Sequence, residues 1–397
     1  MRRAALVCPV RTPVGRFLGA LASVDAGTLA AHVIRAVVER SGVDPERIED
    51  VIFAQGYPNG EAPCIGRWAA LAAGLPLSVP GYQLDRRCGG GLQALIDAAL
   101  RVQTGAADVV IAGGVESMSG VEYYSTQLRQ GLRLGAGALH DRLIRARERA
   151  QPVERFGPIS GMIETAENLA RDHGIDREAS DAYALKSHHR AAAAQAAGRF
   201  SDEIVPVPVE HRGKVTWVSS DEGIRADASE ASLAALPPIE RGGVVTAGNA
   251  SQQSDAAAAC LVVSEDALGP LGLQPIAWLY GWAVAGCEPS RMGIGPVPAV
   301  ERLFARTKLG WDDLDLVELN EAFAPQVLAV LKAWGWHDPS RLNVNGSGIS
   351  LGHPIGSTGV RILASLTHEL VRRQGRYGLE TMCIGGGQGI AAVFERA

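Results

Sequence analysis

Apolar positions along this chain follow two rhythms. Between residues 28 and 40, Leu29, Val33, Ala36, Val37 and Arg40 fall on one side at a 3.6-residue period, which predicts a helix. Short continuous apolar runs predict buried strands instead: residues 4–8, then Val51-Ile52-Phe53-Ala54, then Val109-Val110-Ile111-Ala112 running into Gly113-Gly114. A second helix is predicted after Cys88, where Leu92, Leu95, Ile96 and Ala99 share a face. Strands and helices that alternate in this way predict α/β layers.

The order then returns. Gly310-Trp311-Asp312-Asp313 leads into an apolar run at 314–319 much as Gly42-Val43-Asp44-Pro45 leads into 48–52. From Val51 to Cys88 is 37 residues and from Val317 to His353 is 36, and both halves end in a strand that runs into glycines. This predicts an internal duplication in which Cys88 and His353 occupy equivalent helix starts in two facing halves. Residues 120–243 break the pattern, with many Arg, Glu, His and Pro, an alanine run at 191–194 and a turn at Arg212-Gly213-Lys214. They read as an inserted polar lobe. Residues 244–249 resume apolar strand character, so the expected division is 1–119 plus 244–269, the insertion 120–243, and 270–397.

Composition narrows the classes of function. A chain of 397 residues, 47% hydrophobic and 20% charged, has material for more than one core. The net charge of −5 excludes a strongly basic nucleic-acid binder but not a local patch for an anionic ligand. Cysteines 8, 64, 88, 260, 287 and 383 form no CxxC pair, which predicts free thiols and argues against a metal site. The start, from Met1 to Arg11, carries an apolar run too short for a signal segment and broken by Pro9. No stretch is apolar enough to span a bilayer, and the last residues are not a peroxisomal tail. A cytoplasmic protein without membrane or nucleic-acid partners is expected.

Three distant stretches set a reactive side chain among glycines: Asp85-Arg86-Arg87-Cys88-Gly89-Gly90-Gly91-Leu92, Gly352-His353-Pro354-Ile355-Gly356 and Cys383-Ile384-Gly385-Gly386-Gly387. A thiol, an imidazole and a second thiol brought together can run covalent acyl transfer, with nucleophile, base and proton carrier. Cys88 before a helix would feel the positive end of its dipole. The plain alternative is a small buried cysteine, but three glycines destabilise a helix and need a reason. For His353 the alternative is a surface turn, against which Pro354 and the glycines pin the ring. The glycines after Cys383 miss the dinucleotide spacing, because the last required glycine falls on Ile390, and no GxxxxGK[ST] occurs. Their N–H groups suit an oxyanion hole. Asn320 at a strand end is equally a water-orienting group or a helix cap, and Phe323 can pack on a ligand. Glu116 reads as a helix-start carboxylate, and the other eight histidines as solvated.

Together these residues resemble the thiolase family. The matching stretches are Cys88-Gly89-Gly90-Gly91-Leu92-Gln93-Ala94, Gly113-Gly114-Val115-Glu116-Ser117-Met118-Ser119, Thr246-Ala247-Gly248-Asn249-Ala250-Ser251, Asn320-Glu321-Ala322-Phe323, residues 343–359 and Cys383-Ile384-Gly385-Gly386-Gly387-Gln388-Gly389. The resemblance implies a duplicated five-layered α-β-α-β-α fold with an inserted loop domain, in homodimers or homotetramers. It implies reversible Claisen condensation and thiolysis of acyl-CoA and 3-oxoacyl-CoA, including acetyl-CoA acetyltransferase activity, with coenzyme A thioesters as substrates and no resident cofactor or metal. Cys88 would carry the acyl group, His353 accept its proton and Cys383 move the α-proton. His353 with an Asn320-held water would form one oxyanion hole, and the N–H groups of Cys88 and Gly385 the other. Ser251 would lie near the pantetheine, Met162 and Met292 would line the acyl pocket beside Ala322 and Phe323, and Arg225, Arg212 or Lys214 would meet the CoA phosphates.

Two positions depart from the family's pattern. Gly90 replaces a serine. Gly161 stands where short-chain biosynthetic members carry a histidine before the methionine, which points to a wider pocket for 3-oxoacyl-CoA. A ketoacyl-synthase-like enzyme would need a second histidine or an asparagine where Cys383 stands. A non-catalytic acyl-CoA or lipid carrier would have lost reactive residues, and a Cys–His hydrolase has no use for a second thiol.

Overall fold

The computed structural model describes residues 2–397, so Met1 of the basic start lies outside the described residues. The first half runs β1 (Ala4–Arg11), α1 (Ala26–Ser41), β2 (Asp50–Ala54), α2 (Ile65–Ala73), β3 (Gly81–Leu84), α3 (Gly90–Thr104) and β4 (Val109–Ser117). A lobe follows with α4 (Arg142–Glu148), α5 (Met162–His173) and α6 (Arg177–Ala196). Strand β5 (Ser254–Ser264) returns to the first half, and β6 (Ala277–Gly286), α7 (Pro296–Thr307), β7 (Leu316–Leu319), α8 (Ala324–Trp334), α9 (Thr358–Arg373), β8 (Tyr377–Ile384) and β9 (Gln388–Arg396) make the second. Among the described residues no helix is long and apolar enough to cross a membrane.

The strand order shows the repeat. From the centre outward the first half reads β1-β5-β4-β2-β3 and the second β6-β9-β8-β7, with Leu342 bridged in parallel to Val317 at the matching edge. In each half the outer strands pair in parallel and the inner ones antiparallel. The halves meet through Ala5↔Trp278 and Leu6↔Ala277.

Continuous apolar strands need a core on each face, and they have one. Along β5, Ala257, Ala259, Leu261 and Val263 join the core under α1, while Ala258, Cys260 and Val262 point the other way. That second core is shared: Leu92, Leu95 and Ile96 of α3 and Val360, Leu363 and Leu366 of α9 pack between both sheets. A third core joins Val300 and Leu303 of α7 and Val327 and Val330 of α8 to the second half's outer face. The layers are therefore α-β-α-β-α.

The central helices touch backbone to backbone. A Cβ on Gly359 would stand 2.1 Å from Leu92 N, and one on Gly91 2.9 Å from Gly356 O. This close approach is the reason for glycines at two helix starts where stability alone disfavours them.

Three expectations need correction. Residues 244–249 form no strand, because the N–H groups of Val244 and Val245 go to the Glu167 carboxylate (2.9 and 2.7 Å) instead of a ladder. Glu116 is no helix-start carboxylate, since it lies inside β4 and is fully buried. His353 is not equivalent to Cys88 in register: a short turn at Ile355–Ser357 sets it five residues ahead of α9, against two for Cys88 and α3.

Candidate active site

Cys88 is carried on a tight turn, Arg87–Gly89, directly before α3. Arg87 is left-handed, with φ 48°, which costs a non-glycine residue on the order of 1 kcal/mol. The Asp85 side chain braces it by accepting the Arg87 N–H at 2.7 Å. This turn, not the helix dipole alone, aims the thiol. Burial raises the Cys88 thiol above its usual range, opposed by the N–H of Gly385, the charge of Arg87, its own N–H and the charge of Arg147. The expected easy ionisation at a helix start is thus outweighed.

His353 is reached from the other half. Its N–H donates to Gln252 O at 3.1 Å, and the same segment ties Ser251 N to Ala322 O (2.9 Å) and Ala324 N to Asn249 O (2.8 Å). The ring is oriented by Thr358, whose Oγ1 lies 2.7 Å from His353 Nδ1 and donates its hydrogen to Pro354 O at 3.0 Å. With the hydroxyl's one hydrogen assigned to Pro354 O, Nδ1 is the donor to Thr358, a tautomer assigned from the network. Nε2 then keeps its lone pair, and it is buried without a partner in the protein. Burial, with Arg361 and Arg147 nearby, pushes the imidazole down to about 3. His353 is a neutral base at ordinary pH.

Cys383 is the last residue but one of β8 and is fully buried. Its thiol is raised well above the usual range by burial first, then by Cys88 and Cys287. The following turn needs glycines: φ is 88° at Gly386 and 85° at Gly387, and a Cβ on Gly387 would stand 2.4 Å from Cys287 O. That turn brings the Gly385 N–H to the Cys88 sulfur.

One cavity of about 570 Å³ is lined by Cys88, His353 and Cys383 together. Met162, Met292, Ala322, Phe323 and Ser251 line it as well. Asn320 sits behind this wall, fully buried, with Nδ2 3.5 Å from His353 Nδ1 and Oδ1 without a partner. It caps no helix, since Phe323 holds the position before α8. Arg225 is not part of the cavity. It is exposed, and its backbone N–H donates to Nδ1 of His188 at 3.3 Å. His188 itself is 4% exposed, pushed down to about 4 by burial, so it is not a solvated histidine. Arg212 and Lys214 lie on an exposed hairpin.

Sequence reasoning missed four contributors: Thr358, which sets the imidazole; Glu116, which accepts from Gly56, Tyr57 and Gly356; and Tyr57 and Arg147, bonded to each other beside the thiol at 3.2 Å. Thr358 was within reach, because a hydroxyl five residues after a pinned histidine is a local partner. The others depend on tertiary contacts.

Comparison with known proteins gives a full-length match. The thiolase N-terminal domain matches residues 4–266 and the thiolase C-terminal domain residues 273–396. The chain is 46% identical to an acetyl-CoA acetyltransferase of Chromobacterium violaceum, over 99% of both chains. It is 45% identical to the beta-ketothiolase BktB of Cupriavidus necator, over 100% of this chain and 99% of the relative. The crystal structure of the Bacillus anthracis acetyl-CoA acetyltransferase superposes with a TM-score of 0.96 at 42% identity, covering 100% of this chain and 99% of that one. Human mitochondrial 3-ketoacyl-CoA thiolase in complex with CoA superposes with a TM-score of 0.93 at 39% identity, covering 100% and 98%.

Proposed function

The chain belongs to the thiolase family and is an acyltransferase, and from that premise we propose that it exchanges acyl groups between coenzyme A thioesters through an acyl-Cys88 intermediate. In thiolysis, Cys88 Sγ attacks the 3-oxo carbon of a 3-oxoacyl-CoA while its proton passes to His353 Nε2. The C2–C3 bond breaks, and Cys383 gives its proton to the departing acetyl-CoA enolate. The thiol of free CoA then gives its proton to the Cys383 thiolate and attacks acyl-Cys88; the acyl–Sγ bond breaks, Cys88 takes back the proton held on His353, and a shortened acyl-CoA leaves. Condensation runs the same steps backward.

The electrostatics support a concerted first step. Burial holds the Cys88 thiol up and the His353 imidazole down to about 3, so both shifts oppose moving the proton before attack. Thiol and imidazole therefore rest neutral, and the proton moves as the carbonyl is attacked. Cys383, raised by burial, rests as a thiol ready to protonate an enolate. For condensation it must ionise, and burial is the largest cost against this.

Asn320 Oδ1 is an acceptor suited to a water whose other hydrogen faces a thioester oxygen, and the N–H groups of Cys88 and Gly385 suit the tetrahedral oxyanion. Met162, Met292, Ala322 and Phe323 form the apolar wall for the acyl chain and Ser251 the polar one for the pantetheine. Coenzyme A thioesters enter as substrates, with no resident cofactor in this scheme, and the enzyme works as a homo-oligomer in the cytoplasm.

The observation that carries this reading is the convergence of two thiols and an imidazole with a free Nε2 on one cavity. Mixing the protein with acetoacetyl-CoA and CoA tests it: thioester loss is expected, with a mass increase on Cys88 that Cys88→Ser abolishes. Substrate-derived acylation that persists elsewhere in the Ser variant overturns it.

A further inference from the structure

Acyl transfer through Cys88, His353 and Cys383 has no task for Arg147, yet Arg147 lines the same cavity. Helix α4 brings it there with Ile144, three residues earlier on the same face. The neighbouring arginines are occupied elsewhere: Arg142 pairs with Glu122, and Arg145 meets the His140 ring at 3.0 Å. Arg147 has a single side-chain hydrogen bond among the described residues, from Nε to the Tyr57 hydroxyl at 3.2 Å. Its two terminal nitrogens are left for something in the cavity.

The setting asks for an anion. Arg147 is half-buried and lines the cavity with the apolar Ile144, Met118 and Ile355, where a charge gains from a counter-charge. The one carboxylate on the same wall, Glu240, is surrounded by Glu164 and Glu167, with Arg171 as its cation. Gly161 adds room: a Cβ there would stand 4.0 Å from Arg147 Cβ and meet nothing else, so the floor beside the arginine is open.

The anion belongs to the acyl chain rather than to coenzyme A. The charge of Arg147 bears on both Cys88 and His353, which flank the thioester, whereas the CoA phosphates lie a whole pantetheine arm away. We propose that Arg147 is a specificity-determining residue that binds a carboxylate at the far end of the acyl chain, so that the preferred substrates are 3-oxoacyl-CoA half-thioesters of dicarboxylic acids. With Nε held by Tyr57, the terminal nitrogens present an end-on fork to the two carboxylate oxygens. The proposal rests on the thiolase reading.

The test compares thiolysis of 3-oxoacyl-CoA substrates ending in a carboxylate with their methyl esters over a ladder of chain lengths. At the best length the protein prefers the carboxylate by at least about 10-fold in kcat/KM, and Arg147→Met lowers that ratio by roughly 10- to 100-fold while Arg147→Lys keeps part of it. Taking the ratio cancels any effect of the charge on Cys88 itself. Saturated ω-carboxyacyl-CoA should also inhibit the unaltered protein more tightly than its ester, a measurement independent of how the variants fold. An ester preference at every length, or a ratio unchanged in Arg147→Met, overturns the proposal while the thiolase reading stands. Absence of thiolysis with every substrate refutes both.

Discussion

Glu116 joins three segments that make the site, and its removal has a calculable cost. Oε2 accepts from Gly56 N at 2.9 Å and Gly356 N at 3.0 Å, and Oε1 from Tyr57 N at 3.1 Å. Gly356 lies three residues beyond His353, so the carboxylate fixes the imidazole's loop against the first half. Glu116→Ala orphans three buried N–H groups, each worth about 1–3 kcal/mol, for a total near 3–9 kcal/mol. Glu116→Gln can keep its oxygen at the doubly bonded position and lose only the Tyr57 contact, about 2 kcal/mol.

The pH dependence has a definite sign. Burial pushes Glu116 up to about 7 from 4.5, against the pull of its three N–H donors. A raised acid stabilises the folded state fully below about 4.5, and that contribution is lost as pH rises through about 7. The unaltered protein should therefore lose roughly 2–3 kcal/mol between pH 5 and pH 8 that Glu116→Gln does not, so the deficit of about 2 kcal/mol should vanish or reverse. Urea unfolding at the two pH values measures it, read as midpoint shifts at constant m. A cost below about 1 kcal/mol for Glu116→Ala at pH 5, or a glutamine deficit that grows with pH, refutes this account.

Other outcomes follow from the same geometry. Cys383→Ala should block condensation, while acyl exchange between acyl-CoA and CoA through Cys88 continues in part; equal loss of both would make Cys383 structural. The single-turnover rate of Cys88 acylation should stay flat on the acid side down to about pH 5, because His353 is neutral above about 3; an inflection near pH 6–7 traced to His353 would contradict its burial.

Much of this architecture was legible because the signals were local. Runs such as 109–112 and 258–263 are wholly apolar, since each strand faces two cores, and the periodic faces of α1 and α3 follow from one-sided burial. The reactive trio was legible because glycines without packing value flagged it. Glu116 was misread because Gly-Val-Glu-Ser looks like a helix start, whereas its partners lie 60 and 240 residues away. Residues 244–249 looked like a strand because their apolar character is real, but a distant carboxylate took their N–H groups. Arg147 could not be told from Arg142 and Arg145 in one arginine-rich stretch, since only tertiary pairing separates them.

Duplication supplies the scaffold, and departure from it supplies the chemistry. Two like halves bring two helix starts to the centre, where Gly91 and Gly359 let the backbones touch. Perfect equivalence would place like residues in like settings, which serves a structural dyad but not acid–base work. Each central helix is preceded by a short turn, but His353 stands ahead of its turn whereas Cys88 lies within its own, and that setback lets Thr358 hold Nδ1 and leave Nε2 free. The thiol across from it sits inside its turn, where a strained arginine and the Gly385 N–H present it directly. A base and a nucleophile of different depth and polarity thus arise from one repeated plan by a shift of three residues.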